Sequence, residues 1–437
     1  MRLASTRRQS PEVSFVEALL HGLAPDGGLY LPTSLPVISR REIASWAGLP
    51  MAEIAVRVLT PLVGDEFDRA AFEALVRDAF DFPAPLVPLS EGLAVLELFH
   101  GPTLAFKDFG ARFLARAFGH LLAARGDHAT ILVATSGDTG SAVALGFHGV
   151  PRVRVVLLYP AGKVSPFQEA QMATLGGNVA AVRVPGTFDD CQRLVKQAFL
   201  DPGLAGLRLS SANSINIGRL LPQAVYYFSA WLAMGADRAG EVVFAVPSGN
   251  LGNLTAGVIA QRVGLPVRRF IAACNVNDVL PEYLRTGTYR ARAARPTISS
   301  AMDVGDPSNF PRLADLHARS LEALRANVAG VTVSEAETRR AIDVVHAAHG
   351  YVLDPHGAVG AAAVAKAWQD GGERGRLVTL ATAHPAKFGD VIRQELGFAP
   401  ELPERWRDWT SRPLAALDLG STDDEEFKLW LRRELGG

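Results

Sequence analysis

The chain has 437 residues, 48% hydrophobic and 20% charged, with 44 Lys and Arg against 45 Asp and Glu and a formal net charge of -1. This is the composition of a globular protein of roughly three domains or lobes at about 150 residues each; it excludes bulk disorder, and the even charge balance gives no overall pull toward nucleic acid or anionic membrane. Two cysteines, Cys191 and Cys274, make no disulfide framework or zinc site, and no stretch reaches the roughly 20 apolar residues of a membrane span, so a cytoplasmic protein without a metal or membrane partner is expected.

From the amino terminus, Ser10, Pro11 and Glu12 read as the cap, first position and first turn of a helix through VSFVEALLH that Gly22 stops. APDGGLYLP follows as a turn into a short strand. From about Arg40 to Phe82 the pattern is helical and amphipathic, as in DEFDRAAFEALVRDAFDF, and it closes at the Pro-rich FPAPLVPL. Residues 1–82 are therefore expected to form a small amino-terminal domain.

Beyond that boundary the pattern becomes strand, Gly-rich turn, helix, several times over. ATILVAT leads through SGDTG into SAVALGF, and EVVFAVP leads through SGNLGN into LTAGVIAQRVG. Such βα units make a mostly parallel sheet, and RVRVVLLY is apolar on both faces, as a strand covered by helices on both sides must be. Ser334 and Glu337 form a capping-box pattern for a helix that reaches His349 and stops at Gly350. The expected architecture is α/β, with residues 83–395 forming a core of two lobes, the smaller over residues 120–225, and residues 396–437 an appended helical segment.

Five stretches offer chemistry. Lys107 stands at the start of a helix whose apolar stripe is Phe109, Phe113, Leu114, Ala117, Phe118, Leu121 and Leu122. An ammonium is poorly matched to that end of the helix dipole, and an amine among apolar and small residues is easily kept unprotonated and nucleophilic; the plain alternative is a surface lysine beside Asp108. The turn holding Ser136, Gly137, Asp138 and Thr139 lies between strand and helix, where converging N–H groups suit a carboxylate or phosphate, although an ordinary βα turn has the same composition. Gly249 and Gly252, with Asn250, Leu251 and Asn253, form a similar turn after EVVFAVP. Without a third glycine and a downstream acid it suits a single phosphate rather than a dinucleotide.

Ser214, Asn216 and Arg219 cluster ahead of an apolar helix, either as an oxyanion clamp or as a cap with a solvated arginine. LATAHPAKF brings Thr382, His384 and Lys387 to a strand end, where parallel sheets collect ligands; a lone histidine there is more often structural. No hydrolase elbow is present. A cofactor with an aldehyde and one phosphate fits the lysine, the two turns and the sheet together.

FHGPTLAFKDFGARF, ATSGDTGSA, NSINIGRLLPQ, VPSGNLGNLTAG, NVNDVLP and TAHPAKF, in this order, closely resemble the threonine synthase family over about nine-tenths of the chain. The resemblance implies the fold-type II pyridoxal-phosphate architecture, as in the tryptophan synthase β subunit, with two α/β lobes and a small amino-terminal domain. It also implies conversion of O-phospho-L-homoserine and water to L-threonine and phosphate.

By this resemblance Lys107 would hold pyridoxal 5'-phosphate as a Schiff base and shuttle protons, Gly249, Asn250, Leu251, Gly252 and Asn253 would cradle its phosphate, and Thr382 would face its ring nitrogen. Ser136, Gly137, Asp138 and Thr139 would meet the substrate carboxylate; Ser214, Asn216 and Arg219, with Lys163, would meet the departing phosphate. A phospho-lyase or serine/threonine dehydratase of the same fold, releasing a 2-oxo acid, is the alternative, and a binding protein that keeps the fold without chemistry is a third reading. The substrate is the expected partner, the assembly a monomer or homodimer, and no S-adenosylmethionine-regulated extension is expected. Where the family start carries STRG, this chain has Arg8 in place of the glycine.

Overall fold

The computed structural model describes residues 1–64, 66–235, 242–369 and 376–435. The amino-terminal residues form a three-stranded antiparallel sheet in which Arg2–Ser5 lies between Val13–Ser14 and Tyr30–Pro32. The first helix differs from expectation. It runs Phe15–His21 and is capped by Ser14, whose hydroxyl accepts from the Glu17 N–H while the Glu17 carboxylate accepts from the Ser14 N–H. Residues 13 and 14 pair with the first strand, which holds the stretch after Ser10 extended and moves the helix start four residues on. The helical stretch expected over 40–82 is three helices, Arg40–Ala44, Met51–Val63 and Arg69–Ala79. Gly48 and Gly64, both at positive φ, turn the chain between them.

Two larger sheets carry the rest. The six-stranded sheet has the order Val328–Thr332, Val267–Cys274, Val242–Pro247, Arg376–Ala381, Leu93–Glu97 and Leu86–Ser90, all parallel except the last. The five-stranded sheet is parallel throughout, in the order Ala416–Asp418, Val179–Val184, Val153–Pro160, Ala129–Ala134 and Leu209–Ser210. Helix Lys107–Arg125 buries every residue of the expected stripe. The capping box of Ser334 and Glu337 opens helix Glu335–His349, which ends at Gly350 in the left-handed region.

The carboxy-terminal residues are not wholly helical. Ala416–Asp418 adds a strand to the edge of the smaller sheet, Ala416 opposite Ala181, and Phe427 and Leu431 of helix Asp424–Leu435 are buried against Cys191 and Leu194. Three residues carry no period that would announce a strand; the open edge of Val179–Val184 induces it.

The turns after Val242–Pro247, Ala129–Ala134 and Arg376–Ala381, and the stretch between Leu93–Glu97 and Lys107, all leave the carboxyl ends of parallel strands, the edge where α/β sheets hold ligands. Among the described residues, no helix is long and apolar enough to cross a membrane, and no cluster of His, Cys, Asp and Glu has the makings of a metal site.

Candidate active site

Lys107 is the first residue of its helix and is held there from two sides. Residues 104–106 run antiparallel to residues 382–384: the Phe106 N–H donates to the Thr382 carbonyl at 2.9 Å and the His384 N–H to the Leu104 carbonyl at 3.0 Å. Lys107 is thereby fixed next to Thr382, whose hydroxyl makes no hydrogen bond among the described residues. Burial pushes the Lys107 amine down to about 8; the Asp138 charge opposes this, and Lys387 and Arg219 add to it. An amine lowered this far can serve as a nucleophile and proton carrier, which a solvated surface ammonium cannot.

The turn after Val242–Pro247 is built to receive an anion. Leu251 sits at φ 60, which reverses the chain into helix Gly252–Val263. The N–H groups of Gly249, Asn250, Leu251, Gly252 and Asn253 donate to nothing among the described residues. The carboxamide oxygen of Asn253 accepts from Tyr226 and Tyr227, each at 2.6 Å, which leaves its buried Nδ2 without a partner. Unspent donors converging on one turn, with the Asn253 Nδ2 among them buried, suit an anionic acceptor. Asn250 faces outward from the turn: its Nδ2 donates to the Ser214 hydroxyl at 2.7 Å and its Oδ1 accepts from the Ser308 N–H.

At the end of Ala129–Ala134, Thr135 organises the second turn, its hydroxyl accepting from the Gly137 and Gly140 N–H groups at 3.0 and 2.8 Å. Gly137 has φ 133, and a Cβ on it would lie 2.5 Å from the Gln168 side chain. Ser136, Asp138 and Thr139 keep free N–H groups among the described residues. The Asp138 side chain is already engaged: Lys387 Nζ lies 2.6 Å from Oδ1, and Gln168 Nε2 donates to the same oxygen at 3.0 Å. Burial opposes its ionisation, but the Lys387 and Lys107 charges outweigh that and hold it well below the usual carboxylate range.

Asn216 is not placed to meet a ligand. Its Nδ2 donates to the Leu19 and Ser211 carbonyls and its Oδ1 caps the Gly218 N–H, so every polar atom of the buried amide is spent on main chain. Arg219 is buried, donates to the Ala212 carbonyl, and retains an Nε without a partner; burial brings its guanidinium down to about 10. Ser214 keeps its hydroxyl proton while accepting from Asn250 and, at 3.4 Å, Asn309. Lys163 stands on an exposed turn after Val153–Pro160 and makes no side-chain hydrogen bond or ion pair among the described residues. His384 is structural, as its ring nitrogen accepts from the Ala386 N–H and burial lowers it to about 4.

Three family models match the chain: "Threonine synthase N terminus" over residues 2–80, "Pyridoxal-phosphate dependent enzyme" over 80–383 and "Threonine synthase, C-terminal" over 357–428. Threonine synthase of Escherichia coli is 44% identical over 421 residues, 96% of each chain. The chain belongs to the threonine synthase family.

Solved threonine synthases superpose over its length. The pyridoxal-phosphate-bound protein of Brucella melitensis gives a TM-score of 0.93 at 40% identity, with both chains fully covered, and the yeast protein gives 0.91 at 33% with all of this chain and 99% of its own. Tomato threonine deaminase, at 16% identity and a TM-score of 0.54, shares the fold alone. The threonine synthase fold is thus the fold-type II pyridoxal-phosphate architecture expected from the sequence, and its cofactor is pyridoxal 5'-phosphate.

The residues of this chain fit that cofactor. The free N–H groups of residues 249–253 and the orphaned Nδ2 of Asn253 match its phosphate, and the lowered amine of Lys107 matches its aldehyde.

Motif reading missed the supports of this threonine synthase site. Thr103 joins it at the centre: its N–H and hydroxyl donate to the Asp108 carboxylate at 2.8 and 2.7 Å, and its carbonyl accepts from Gln171 and Lys387. The residues meeting at Thr103 and Asp138 come from four separate stretches of chain, so nothing in their local spacing links them.

Proposed function

We propose that the chain converts O-phospho-L-homoserine and water into L-threonine and phosphate. The observation that carries this reading is the buried Lys107 amine, lowered to about 8, on a segment whose Phe106 N–H bonds to the Thr382 carbonyl, in a site that also holds two turns with unspent N–H groups. When bound, pyridoxal 5'-phosphate supplies an aldehyde for that amine and a conjugated ring that accepts the electron pair left at the substrate α-carbon.

The chain's own groups then have these tasks. Lys107 Nζ removes the α-proton and later returns a proton, and an amine titrating near the working pH serves in both directions. Lys107 also carries the β-proton away as phosphate leaves the γ-carbon with its C–O bond pair, and a proton is delivered to the γ-carbon to make the methyl group. Water then adds its hydroxyl at the β-carbon, and its remaining proton balances the released phosphate. Gly249, Asn250, Leu251, Gly252 and Asn253 hold the cofactor phosphate through main-chain N–H groups and the Asn253 amide, and the Thr382 hydroxyl meets the ring nitrogen.

The free N–H groups of Ser136, Asp138 and Thr139 receive the substrate carboxylate. The Asp138 carboxylate stays with Lys387, and Gly137 contributes its conformation. The Ser214 hydroxyl and the free Nε of Arg219 take the departing phosphate, with Asn216 acting as the support of that loop. Lys163 reaches this anion when the smaller lobe closes, a motion that also keeps bulk water out until phosphate has left.

The domain boundaries at residues 82 and 395, the cytoplasmic location, the monomer or homodimer state and the absence of a nucleic-acid partner remain part of this proposal. They rest on the change of pattern along the chain, the two buried free cysteines and the even charge balance. Incubating the purified protein with O-phosphohomoserine and identifying products by mass tests the reaction: threonine and phosphate are expected, whereas 2-oxobutyrate would replace this reading with the lyase. Lys107→Ala is expected to remove the absorbance of lysine-bound cofactor and at least about a thousandfold of the rate.

A further inference from the structure

Arg312 is fully buried, and among the described residues no carboxylate pairs with it. Its guanidinium donates only to oxygens of neutral groups: Nε to the Tyr30 carbonyl at 2.9 Å, one terminal nitrogen to the Ser214 carbonyl at 3.2 Å and to Asn309 Oδ1 at 2.9 Å, and the other to the Ile215 carbonyl at 2.6 Å. Burial draws it down to about 9, and among the described residues no neighbouring charge supports the cation. A buried cation without an anion is costly, and a protein that keeps one places it where an anion will bind or where its several donors hold a structure together.

Both conditions meet at the turn of residues 249–253. Ser214 and Asn309, the two residues sharing one guanidinium nitrogen, both hold Asn250, beside the Ser308 N–H. The Ser214 hydroxyl accepts from Asn250 Nδ2 at 2.7 Å, and Asn309 Nδ2 donates to the Asn250 carbonyl at 3.0 Å. Through the Tyr30 carbonyl the same guanidinium is tied to the amino-terminal sheet, and two further links cross that boundary from residues nearby: Arg319 donates to the Thr6 carbonyl and Arg8 pairs with Asp315.

We infer that Arg312 is a positioning residue for the cofactor phosphate: its guanidinium fixes Ser214 and Asn309 against Asn250, tying the phosphate-binding turn to the amino-terminal sheet, and its charge is balanced by the bound phosphate. The inference rests on the reading of residues 249–253 as the phosphate cradle. It explains why the small amino-terminal sheet accompanies this site, since Arg312 without the Tyr30 carbonyl leaves Nε unsatisfied in the core.

The test compares two probes, pyridoxal 5'-phosphate and pyridoxal, which has the same aldehyde and ring but no phosphate. Each is titrated into cofactor-free protein and followed by the absorbance of the lysine-bound form. The wild-type protein, Arg312→Gln, Arg312→Lys and Asn309→Ala are compared, and Asn309→Ala carries the test if Arg312→Gln fails to fold, because it cuts the Asn309 link to the turn while leaving the guanidinium three carbonyls.

Arg312→Gln and Asn309→Ala are expected to bind pyridoxal 5'-phosphate about tenfold or more weakly with pyridoxal binding unchanged, and Arg312→Lys to recover part of the loss. If the wild-type protein binds both probes equally, the phosphate cradle itself is refuted and the inference falls with it. If the wild-type protein prefers the phosphorylated probe but the variants lose both probes alike, or neither, the cradle stands and the role of Arg312 is overturned.

Discussion

Lys387 Nζ lies 2.6 Å from Asp138 Oδ1, and both side chains are buried. Lys387 follows a strand of the six-stranded sheet and Asp138 follows a strand of the five-stranded one, so this ion pair joins the two lobes next to Lys107. Breaking a buried pair from one side leaves an uncompensated charge and costs on the order of 3–5 kcal/mol. The pair has a second effect, on the titration of Lys107.

Asp138 raises and Lys387 lowers the pKa of Lys107. Asp138→Asn is therefore expected to move the acid limb of cofactor capture, near pH 8 in the wild-type protein, to lower pH, and Lys387→Met to move it higher. The rate at which cofactor-free protein takes up pyridoxal 5'-phosphate, measured from pH 6 to 10, checks this. Shifts in the same direction for both variants would contradict the electrostatic assignment.

Asp108 is held by Thr103 in a buried site, and burial raises its carboxyl to about 6 against the opposing Thr103 hydrogen bonds. Its folded-state pKa exceeds the unfolded 3.8, so the proton favours the folded state. Stability from this group is complete below about pH 4 and is lost as pH rises through 6, by about 3 kcal/mol in all. Asp108→Asn keeps an acceptor for the Thr103 N–H and carries no charge. Denaturant melts of the cofactor-free protein at pH 4.5 and 7.5 are expected to show the variant gaining on the wild type at the higher pH, and a constant difference between the two would refute the assignment.

A Cβ on Gly249 would lie 2.7 Å from Met302 Cα and 3.1 Å from the Ala301 carbonyl oxygen, both main chain and unable to swing aside. Gly249→Ala must displace the turn, at a cost of about 1–3 kcal/mol. Affinity for pyridoxal 5'-phosphate is expected to fall by about tenfold or more, read by equilibrium titration; unchanged affinity would show that the turn has room to give.

Arg8 occupies φ 58, where a side chain costs roughly 1–2 kcal/mol relative to glycine. Its compensation is a 3.3 Å pair with Asp315 from an exposed guanidinium, worth at most about 1 kcal/mol. Arg8→Gly is expected to stabilise the protein by up to about 1 kcal/mol in urea melts, a modest net gain because glycine also frees the unfolded chain. Destabilisation would mean that the ion pair outweighs the backbone strain.

Local signals located the parts of this molecule whose form depends on neighbours in sequence. The stripe from Phe109 to Leu122 specifies a helix with Lys107 at its start, Ser334 and Glu337 cap their helix with atoms three residues apart, and the glycines of 249–253 mark a turn wherever they occur. The helix starting at Phe15 rather than Pro11 and the strand Ala416–Asp418 lay outside that reach. In each, a short segment takes its conformation from a strand edge supplied by distant chain.

Sequence alone thus determined the fold class and the family, because both are written in contiguous motifs. Tertiary structure decided which polar groups are still free to bind. Asn216 reads like its neighbours in the motif yet is spent on the Leu19 and Ser211 carbonyls, while Arg312, Thr103 and Lys387 gain their roles from partners far along the chain. A hydrogen-bonding atom used to hold the fold is lost to the ligand, and that allocation is settled when distant segments pack together.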